Sequence, residues 1–247
     1  MKKFLGIILS VVIACIILVA PISAIAAEDE RVIYLTFDDG PSYSNTEKVI
    51  DILKANDVRA TFFVVGENVK RFPDVVKKLD SEHMAIYPHC NNHTYRSLYS
   101  SEEHYLEDLE DCKTEIFQAI GKEKEINFVR MPGGSDNLVG SKGILSCIKK
   151  SLNQKGISYI DWNIDAGDAL SVKVSLDNIK RNIKKFSGSY PVEVLLMHDL
   201  ENKDTTTQAL IDVIQDYKAM GYKFKTLDEI EPWEMDYLKR ARVINRW

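Results

Sequence analysis

The sequence predicts an α/β domain built on a parallel β-sheet, and three observations lead to that prediction. Short β-branched or aromatic runs alternate with amphipathic stretches through most of the chain, and strand–helix–strand alternation is typical of parallel sheets. The chain has 247 residues, a length that suits one barrel-sized domain better than two. Ionisable residues follow five of the apolar runs, where α/β folds place their working residues.

Seven runs have the composition of strands. They are Arg31–Phe37, Arg59–Val65, Met84–Tyr87, Ile126–Arg130, Ile157–Trp162, Val192–Met197 and Lys223–Thr226. Seven strands in about 200 residues are compatible with an incomplete barrel and with a doubly wound sheet. The pattern alone does not choose between these two architectures.

Five stretches between the runs have helical periodicity. They are Thr46–Ala55, Glu102–Ile120, Ser141–Gln154, Leu176–Phe186 and Thr206–Met220. Gly156 and Gly221 lie where the third and the last of these helices should end. The segment after Trp233 is short, charged and helical in pattern, and it predicts a C-terminal helical tail.

Residues 1–27 are typical of a secretory signal. A basic start at Lys2 precedes an apolar run of 17 residues over positions 4–20, and positions 24–26 read Ala-Ile-Ala, an A-x-A cleavage pattern. The run is also at the low end of the length that spans a bilayer, so an uncleaved anchor is an alternative. Positions 12–15 loosely resemble a lipoprotein cleavage box, which is a third possibility. In each case the domain at 28–247 is expected to be secreted or to lie on the outer face of the cytoplasmic membrane.

Charge and cysteine content exclude two other classes. The formal net charge is −5, and it would be −7 without residues 1–27. The chain has no basic stripe, which argues against a nucleic-acid partner. Cys90, Cys112 and Cys147 form no C-x-x-C pair, so a disulfide framework is not expected, and a thiol enzyme based on Cys90 lacks a second cysteine at useful spacing.

The polar groups that follow the strands form the pattern of a metal-dependent hydrolase. Asp38 and Asp39 end the first run, and Gly40 with the following proline supplies a turn that lets both carboxylates reach one site. His89 and His93 have the i, i+4 spacing that, on a helical turn, puts both imidazoles on one face. One aspartate can then bind the metal while the other accepts a proton. The alternative is that Asp-Asp-Gly merely caps a turn.

Five motifs, in order, resemble those of the polysaccharide deacetylases, carbohydrate esterase family 4, also known as the NodB-homology domain. They are Thr36-Phe37-Asp38-Asp39-Gly40, His89-Cys90-Asn91-Asn92-His93, Arg130-Met131-Pro132-Gly133-Gly134, Asp161-Trp162-Asn163-Ile164-Asp165 and Leu195-Leu196-Met197-His198-Asp199. The resemblance covers residues 32–226 and implies a distorted (β/α)₇ barrel. The chain departs from the family pattern at His83, where glycine is usual, and at Pro88 and Cys90.

The resemblance implies a metal centre and a base. Asp39, His89 and His93 would hold a divalent metal, with zinc expected. Asp38 would be the general base that activates a metal-bound water, and Arg130 would pair with Asp38.

The resemblance also implies an acid and a substrate pocket. His198 would be the general acid and Asp165 would orient it. Leu196 and Trp162 would wall the pocket for the acetyl methyl group, and the backbone N–H of Gly133 would lie near the oxyanion.

These roles together predict a monomeric polysaccharide N-deacetylase, an amide hydrolase that acts on N-acetylglucosamine residues, with peptidoglycan as the leading substrate. The alternatives are a chitin-oligomer deacetylase, an acetyl-xylan esterase and a catalytically inactive wall-binding protein on the same fold.

Overall fold

The structure is a computed structural model that describes residues 30–247 as a mostly parallel sheet surrounded by helices. The strands are β1 (Val32–Asp38), β2 (Thr61–Val65), β3 (Ala85–Cys90), β4 (Phe128–Val129), β5 (Ser158–Tyr159), β6 (Ile164–Asp165), β7 (Val192–His198) and β8 (Lys223–Phe224). The α-helices are α1 (Asn45–Ala55), α2 (Gly66–Arg71), α3 (Pro73–Ser81), α4 (Tyr95–Leu98), α5 (Glu102–Ile120), α6 (Lys142–Gln154), α7 (Leu176–Phe186), α8 (Asp204–Ala219) and α9 (Pro232–Arg240).

The strands form a broken ring. The main sheet has the order β3-β2-β1-β7-β6, with β8 paired to the start of β1, and β4 and β5 form a separate pair. The N–H of Arg130, just after β4, donates to the carbonyl of Pro88 in β3 at 3.3 Å and joins the two sheets. This arrangement agrees with the distorted barrel and not with a doubly wound sheet.

Alternation along β1 divides the core into two clusters. Ile33 and Leu35 belong to a cluster that packs against α1, α3, α5, α7 and α8. Val32 and Tyr34 belong to a second cluster, which includes residues of β4, β5, α6 and α9. Because side chains alternate with a period of two, Asp38 lies on the same face as Tyr34. The sheet therefore points Asp38 toward the second cluster, at the end where β1 stops.

All seven predicted runs contain strands, but their lengths differ from the prediction. β4, β5 and β8 have two residues each, and β6 was not predicted. The third strand continues past the predicted end at Tyr87 and includes His89 and Cys90.

The five predicted helices are present, and the segment after Trp233 is helical within α9. Gly156 and Gly221 follow the ends of α6 and α8 with left-handed φ values of 75° and 77°, as expected for helix stops. The short helices α2, α3 and α4 were not predicted; α3 begins at Pro73, whose fixed φ favours the first position of a helix.

The predicted signal or anchor at 1–27 lies outside the described residues. Within residues 30–247, no helix combines the length and the apolar character needed to cross a bilayer.

Candidate active site

Parallel register brings an acid and a histidine side by side. Asp38 of β1 is the register partner of His198 of β7, and neighbouring strands lie about 4.8 Å apart. Both residues are the last of their strands and both are largely buried. Two side chains predicted to serve as base and acid therefore reach the same end of the sheet from adjacent strands.

The turn after β1 redirects the second carboxylate. Asp39 has a φ of 76°, in the left-handed region, so the chain leaves strand geometry at this residue. Without that change, Asp39 would point to the opposite face from Asp38. A Cβ at Gly40 would lie 2.4 Å from the carboxylate of Asp199, so only glycine lets the turn rest on that buried side chain. This geometry explains why two adjacent acids stand where the strand ends.

The two predicted metal-binding histidines meet, but not on a helical turn. His89 lies within β3 and His93 follows a bend three residues after it ends at Cys90, so the expectation of a helical i, i+4 pair is wrong. The bend is held by Asp108 of α5, whose carboxylate accepts hydrogen bonds from the backbone N–H groups of Asn91 (2.6 Å) and Asn92 (2.9 Å). These bonds place the two imidazole centroids 5.3 Å apart.

Asp39, His89 and His93 form a cluster that suits a metal ion. One ligand atom from each residue lies within 4.8 Å of the others. The Nε2 atoms of His89 and His93 lie 3.4 and 3.2 Å from Oδ1 of Asp39, and this buried oxygen has no hydrogen-bond partner. Nδ1 of His89 contacts the carbonyl of Arg130 at 2.7 Å. A proton on that nitrogen would leave Nε2 free as a ligand, the usual arrangement around metal-binding histidines.

The carboxylate of Asp39 is ionised in this cluster. Burial would raise the pKa of Asp39, but the close imidazoles of His89 and His93 outweigh burial and hold that pKa well below its ordinary value of 3.8. A carboxylate with two neutral imidazole ligands offers one negative charge and two nitrogen lone pairs, a donor set that fits zinc.

Arg130 fixes Asp38, as the resemblance predicts. Its Nη1 lies 2.9 Å from Oδ1 of Asp38 and 2.6 Å from Oγ1 of Thr36, on the same face of β1. Its Nε and Nη2 donate to the carbonyls of Ile160 and Asp161. The guanidinium is fully buried, and all three nitrogens have acceptors, so its position is strongly determined.

The carboxylate that contacts His198 is Asp168, and the prediction that Asp165 orients His198 is wrong. Oδ1 of Asp168 lies 2.7 Å from Nδ1 of His198, while Oδ2 accepts from the backbone N–H of His198 and from Oγ1 of Thr206, each at 2.8 Å. Asp165 instead accepts the N–H of Gly167 at 2.7 Å and shapes the turn between β6 and Asp168.

The contact with Asp168 also decides the charge of His198. Burial would lower the pKa of His198, but the hydrogen bond and negative charge of Asp168, with smaller contributions from Asp38 and Asp39, outweigh it and raise this pKa from 6.5 to about 9. The imidazole is therefore protonated at neutral pH, with Nδ1 engaged and Nε2 available as a donor.

A cavity of about 280 Å³ joins these groups, and its lining contains nearly all of the predicted site. Asp38, Asp39, His89, His93, Gly133, Trp162, Asp165, Leu196 and His198 line it, together with Tyr95, Gly167, Ala169 and Leu170. Arg130 lies behind Asp38 and does not line it. Gly133 has a φ of 76°, and a Cβ there would come within 3.0 Å of the Tyr95 ring, so glycine is required at this wall.

The departures from the family pattern lie around His89. His83 is exposed and has a φ of 58°, a left-handed conformation in which glycine is more favourable. Cys90 is buried, and burial raises the pKa of its thiol well above 9.0. A protonated, buried thiol does not support a nucleophile, and Cys90 does not belong to the cluster of Asp39, His89 and His93.

Several site residues were missed by sequence reasoning. Asp168 follows Asp165 by three positions, so the same segment offers two aspartates as partners of His198. Asp108 lies within a helix, and Lys203, whose Nζ donates to the carbonyls of Asp168 (2.8 Å) and Ser171 (3.0 Å), lies just before one. Neither of these two residues carries a sequence signal of its role.

The family model and two relatives that this chain resembles in sequence are all polysaccharide deacetylases. The polysaccharide deacetylase family model matches residues 26–150. A peptidoglycan-N-acetylglucosamine deacetylase from Bacillus cereus is 31% identical over 220 residues, which cover 87% of this chain and 76% of that protein. The peptidoglycan-N-acetylmuramic acid deacetylase PdaA of Bacillus subtilis is 30% identical over 204 residues, which cover 81% of this chain and 72% of that protein.

Among solved structures, the catalytic domain of a peptidoglycan N-acetylglucosamine deacetylase from Eubacterium rectale is similar to this chain. The TM-score is 0.76 at 31% sequence identity, and the alignment covers 83% of this chain and 92% of that one.

Proposed function

Because the chain belongs to the polysaccharide deacetylase family, whose members hydrolyse amide bonds in glycans, we propose that it removes N-acetyl groups from N-acetylglucosamine residues of peptidoglycan outside the cytoplasmic membrane. The observation that carries this proposal is that one cavity holds a metal-binding triad, a fixed carboxylate and a protonated histidine. The signal-like pattern of residues 1–27 supports the location, because a secreted enzyme meets the cell wall first.

Asp39, His89 and His93 would hold the divalent metal on which enzymes of this family depend, and we propose zinc. The unpartnered, buried Oδ1 of Asp39 facing two imidazole nitrogens fits this assignment. The metal would supply Lewis-acid polarisation of the amide carbonyl and a lower pKa for water. Three protein ligands leave further coordination positions for these partners.

Asp38 is the general base in this proposal. Arg130 holds Oδ1 of Asp38 at 2.9 Å, which leaves Oδ2 to accept the proton of the attacking water. Asp38 also lies next to the proposed ligand Asp39 without belonging to the ligand cluster, so its lone pairs remain available for proton transfer.

His198 is the general acid. An amine leaves poorly unless it is protonated, so the reaction requires a donor beside the scissile bond. The contact with Asp168 keeps His198 charged and fixes the ring through Nδ1, so that Nε2 can donate the proton to the departing nitrogen. Asp168 also stabilises the imidazolium before transfer.

The remaining lining residues orient the substrate. Leu196 and Trp162 offer apolar surface for the acetyl methyl group, and the N–H of Gly133 would donate to the oxygen that becomes negative. A well-placed donor of this kind typically contributes about 3–4 kcal/mol to transition-state stabilisation.

The test is acetate release by the purified protein from N-acetylglucosamine oligomers, peptidoglycan and acetyl-xylan, each with and without a chelator. Chelator-sensitive release from peptidoglycan is expected. Release only from the oligomers would favour the chitin alternative, and release only from acetyl-xylan would favour the esterase. Mass analysis of the products separates N-acetylglucosamine from N-acetylmuramic acid, the residue named for the PdaA relative.

Two adjacent substitutions separate the proposed roles. Asp38→Asn should abolish turnover and leave metal content nearly unchanged, whereas Asp39→Ala should lower metal affinity itself, as measured by metal analysis after dialysis. Full activity in Asp38→Asn would show that the base is wrongly assigned. A wild-type protein that binds the wall but releases no acetate from any substrate would favour the inactive wall-binding alternative.

A further inference from the structure

The catalytic cavity is too small to hold a polymer. Its volume of about 280 Å³ lies at the lower end of the range for small-molecule sites, so it accommodates the reacting sugar and little more. The neighbouring sugars of a glycan strand must therefore lie on the surface around the cavity. Such a surface needs apolar area for the C–H faces of the sugar rings and polar groups for their hydroxyls.

A second cavity with these properties begins at the wall of the first. This cavity, the side cleft, has a volume of about 540 Å³ and is lined by Ser135, Asp136, Asn137, Leu138, Gly140, Ser141, Lys142, Leu145, Ser146, Lys149 and Trp247. Gly133 lines the catalytic cavity and Ser135 lines the side cleft. Two residues of extended chain span at most about 7 Å, so the two cavities are separated by little more than one backbone.

The wall between the cavities is firmly held. The N–H and Oγ of Ser135 donate to the buried carboxylate of Asp161 at 2.8 and 2.6 Å. Gly134 lies against Trp162, with a Cβ position only 3.3 Å from the indole ring, and Trp162 itself lines the catalytic cavity. The loop is thus a fixed partition that a bound strand could cross.

The side cleft presents apolar side chains to solvent on an anchored frame. Leu138 is fully exposed and Trp247 is 65% exposed. The main chain beside Trp247 is fixed, because the carbonyl of Arg246 accepts from Nζ of Lys149 at 3.0 Å and from the hydroxyl of Tyr159 at 2.9 Å. The guanidinium of Arg246 also pairs with Asp136 at 2.8 Å. Exposed apolar groups on an ordered frame are typical of a binding surface.

We propose that the side cleft is a binding site for the substrate's own glycan strand, which holds sugars adjacent to the one being deacetylated. The position of the cleft beside the catalytic cavity, across a single backbone segment, selects this occupant over an unrelated partner. Trp247 stacks on one face of a pyranose ring, and Leu138 covers the apolar face of a neighbouring sugar. This inference rests on the proposed function, in that the substrate is a polymer containing N-acetylglucosamine.

The test compares Trp247→Ala and Leu138→Asp with the wild-type protein on N-acetylglucosamine oligomers from the dimer to the hexamer. Loss of one stacking contact should raise KM for the hexamer by about fivefold to tenfold without changing kcat. The parameters of the dimer should change less, because the dimer places only one sugar outside the catalytic cavity. Phe186→Ala is the matched control, because Phe186 is an exposed aromatic residue (42%) at the end of α7 that lines neither cavity. Leu138 is fully exposed, so its substitution should not disturb folding.

Unchanged KM values for the hexamer in both variants would overturn the proposal, and so would equal losses on the dimer and the hexamer. A larger effect on soluble peptidoglycan strands than on the hexamer would support it and identify the strand. If the wild-type protein deacetylated no substrate, the proposed function would fail separately. Hexamer binding to Asp38→Asn, with and without Trp247→Ala, would then decide the role of the side cleft: weaker binding in the double variant supports it, and equal binding overturns it.

Discussion

Replacement of Asp168 by asparagine tests how the acid is controlled. In the structure, burial lowers the pKa of His198, and the Asp168 carboxylate makes the largest contribution to raising it to about 9, with smaller contributions from the charges of Asp38 and Asp39. Without the negative charge, this pKa should fall toward its ordinary value of 6.5. A full fall to 6.5, by 2.5 units, corresponds to about 3 kcal/mol of lost stabilisation of the imidazolium.

Loss of the proton from His198 should lower activity at alkaline pH. At pH 8, the protonated fraction of His198 falls from about nine-tenths to about 3% when its pKa drops from 9 to 6.5, a loss of about thirtyfold in kcat/KM from protonation alone. The alkaline limb of the pH–rate profile should move down by the same 2.5 units. A bound divalent metal would lower the pKa of His198 in both proteins, so the difference between them remains the quantity to measure.

Asp165→Asn is the matched control, since Asp165 also lines the cavity but contacts Gly167 and not His198. The alkaline limb of the pH–rate profile of Asp165→Asn should stay at the wild-type pH, even if the substitution changes the maximal rate. An NMR titration of the His198 ring measures the same pKa without relying on turnover, with His198→Gln used to assign the signal. If Asp168→Asn kept the wild-type pKa of His198, or if Asp165→Asn lowered it, the assignment of the partner would be refuted.

Two further predictions concern stability. His83→Gly should raise the free energy of unfolding by about 1 kcal/mol, because His83 has a left-handed φ that costs less for glycine. Urea unfolding measures this change, and the control Ser81→Gly, at the end of α3, should instead lower the stability. An unchanged or lower stability of His83→Gly would contradict the argument. Asp199→Asn should become progressively more stable than the wild type as the pH rises. Burial above all raises the pKa of Asp199 from 3.8 to about 7, so the folded state binds the proton of this carboxyl group more tightly than the unfolded state does. The stability that this proton contributes to the wild-type protein is therefore present at low pH and is lost as the pH rises toward 7. Between pH 5 and pH 8 the stability difference should grow by about 3 kcal/mol in chelator. A difference that is constant with pH would show that Asp199 does not titrate in this window.

Local sequence was sufficient to predict the elements whose stabilising pattern lies within one segment of the chain. Helical periodicity located α5 and α7 at their observed bounds, because an amphipathic helix repeats its apolar face over many residues. The short strands β4, β5 and β6 were harder to delimit, since a two-residue strand has no period of its own and depends on a neighbouring chain for its hydrogen bonds. The bend that brings His93 to His89 depends in the same way on Asp108, a residue from a distant helix.

The sequence by itself determined the α/β class, the order of the five motifs and the residue types at the site. Tertiary structure decided how those residues pair. The register of β1 with β7 sets Asp38 beside His198, and the left-handed conformation of Asp39 turns its carboxylate toward the histidines. The loop after β6 decides that Asp168, and not Asp165, reaches His198. The two acids are only three residues apart, and spacing along a chain does not specify direction in a loop; the hydrogen bonds from Thr206, Lys203 and Gly167 do.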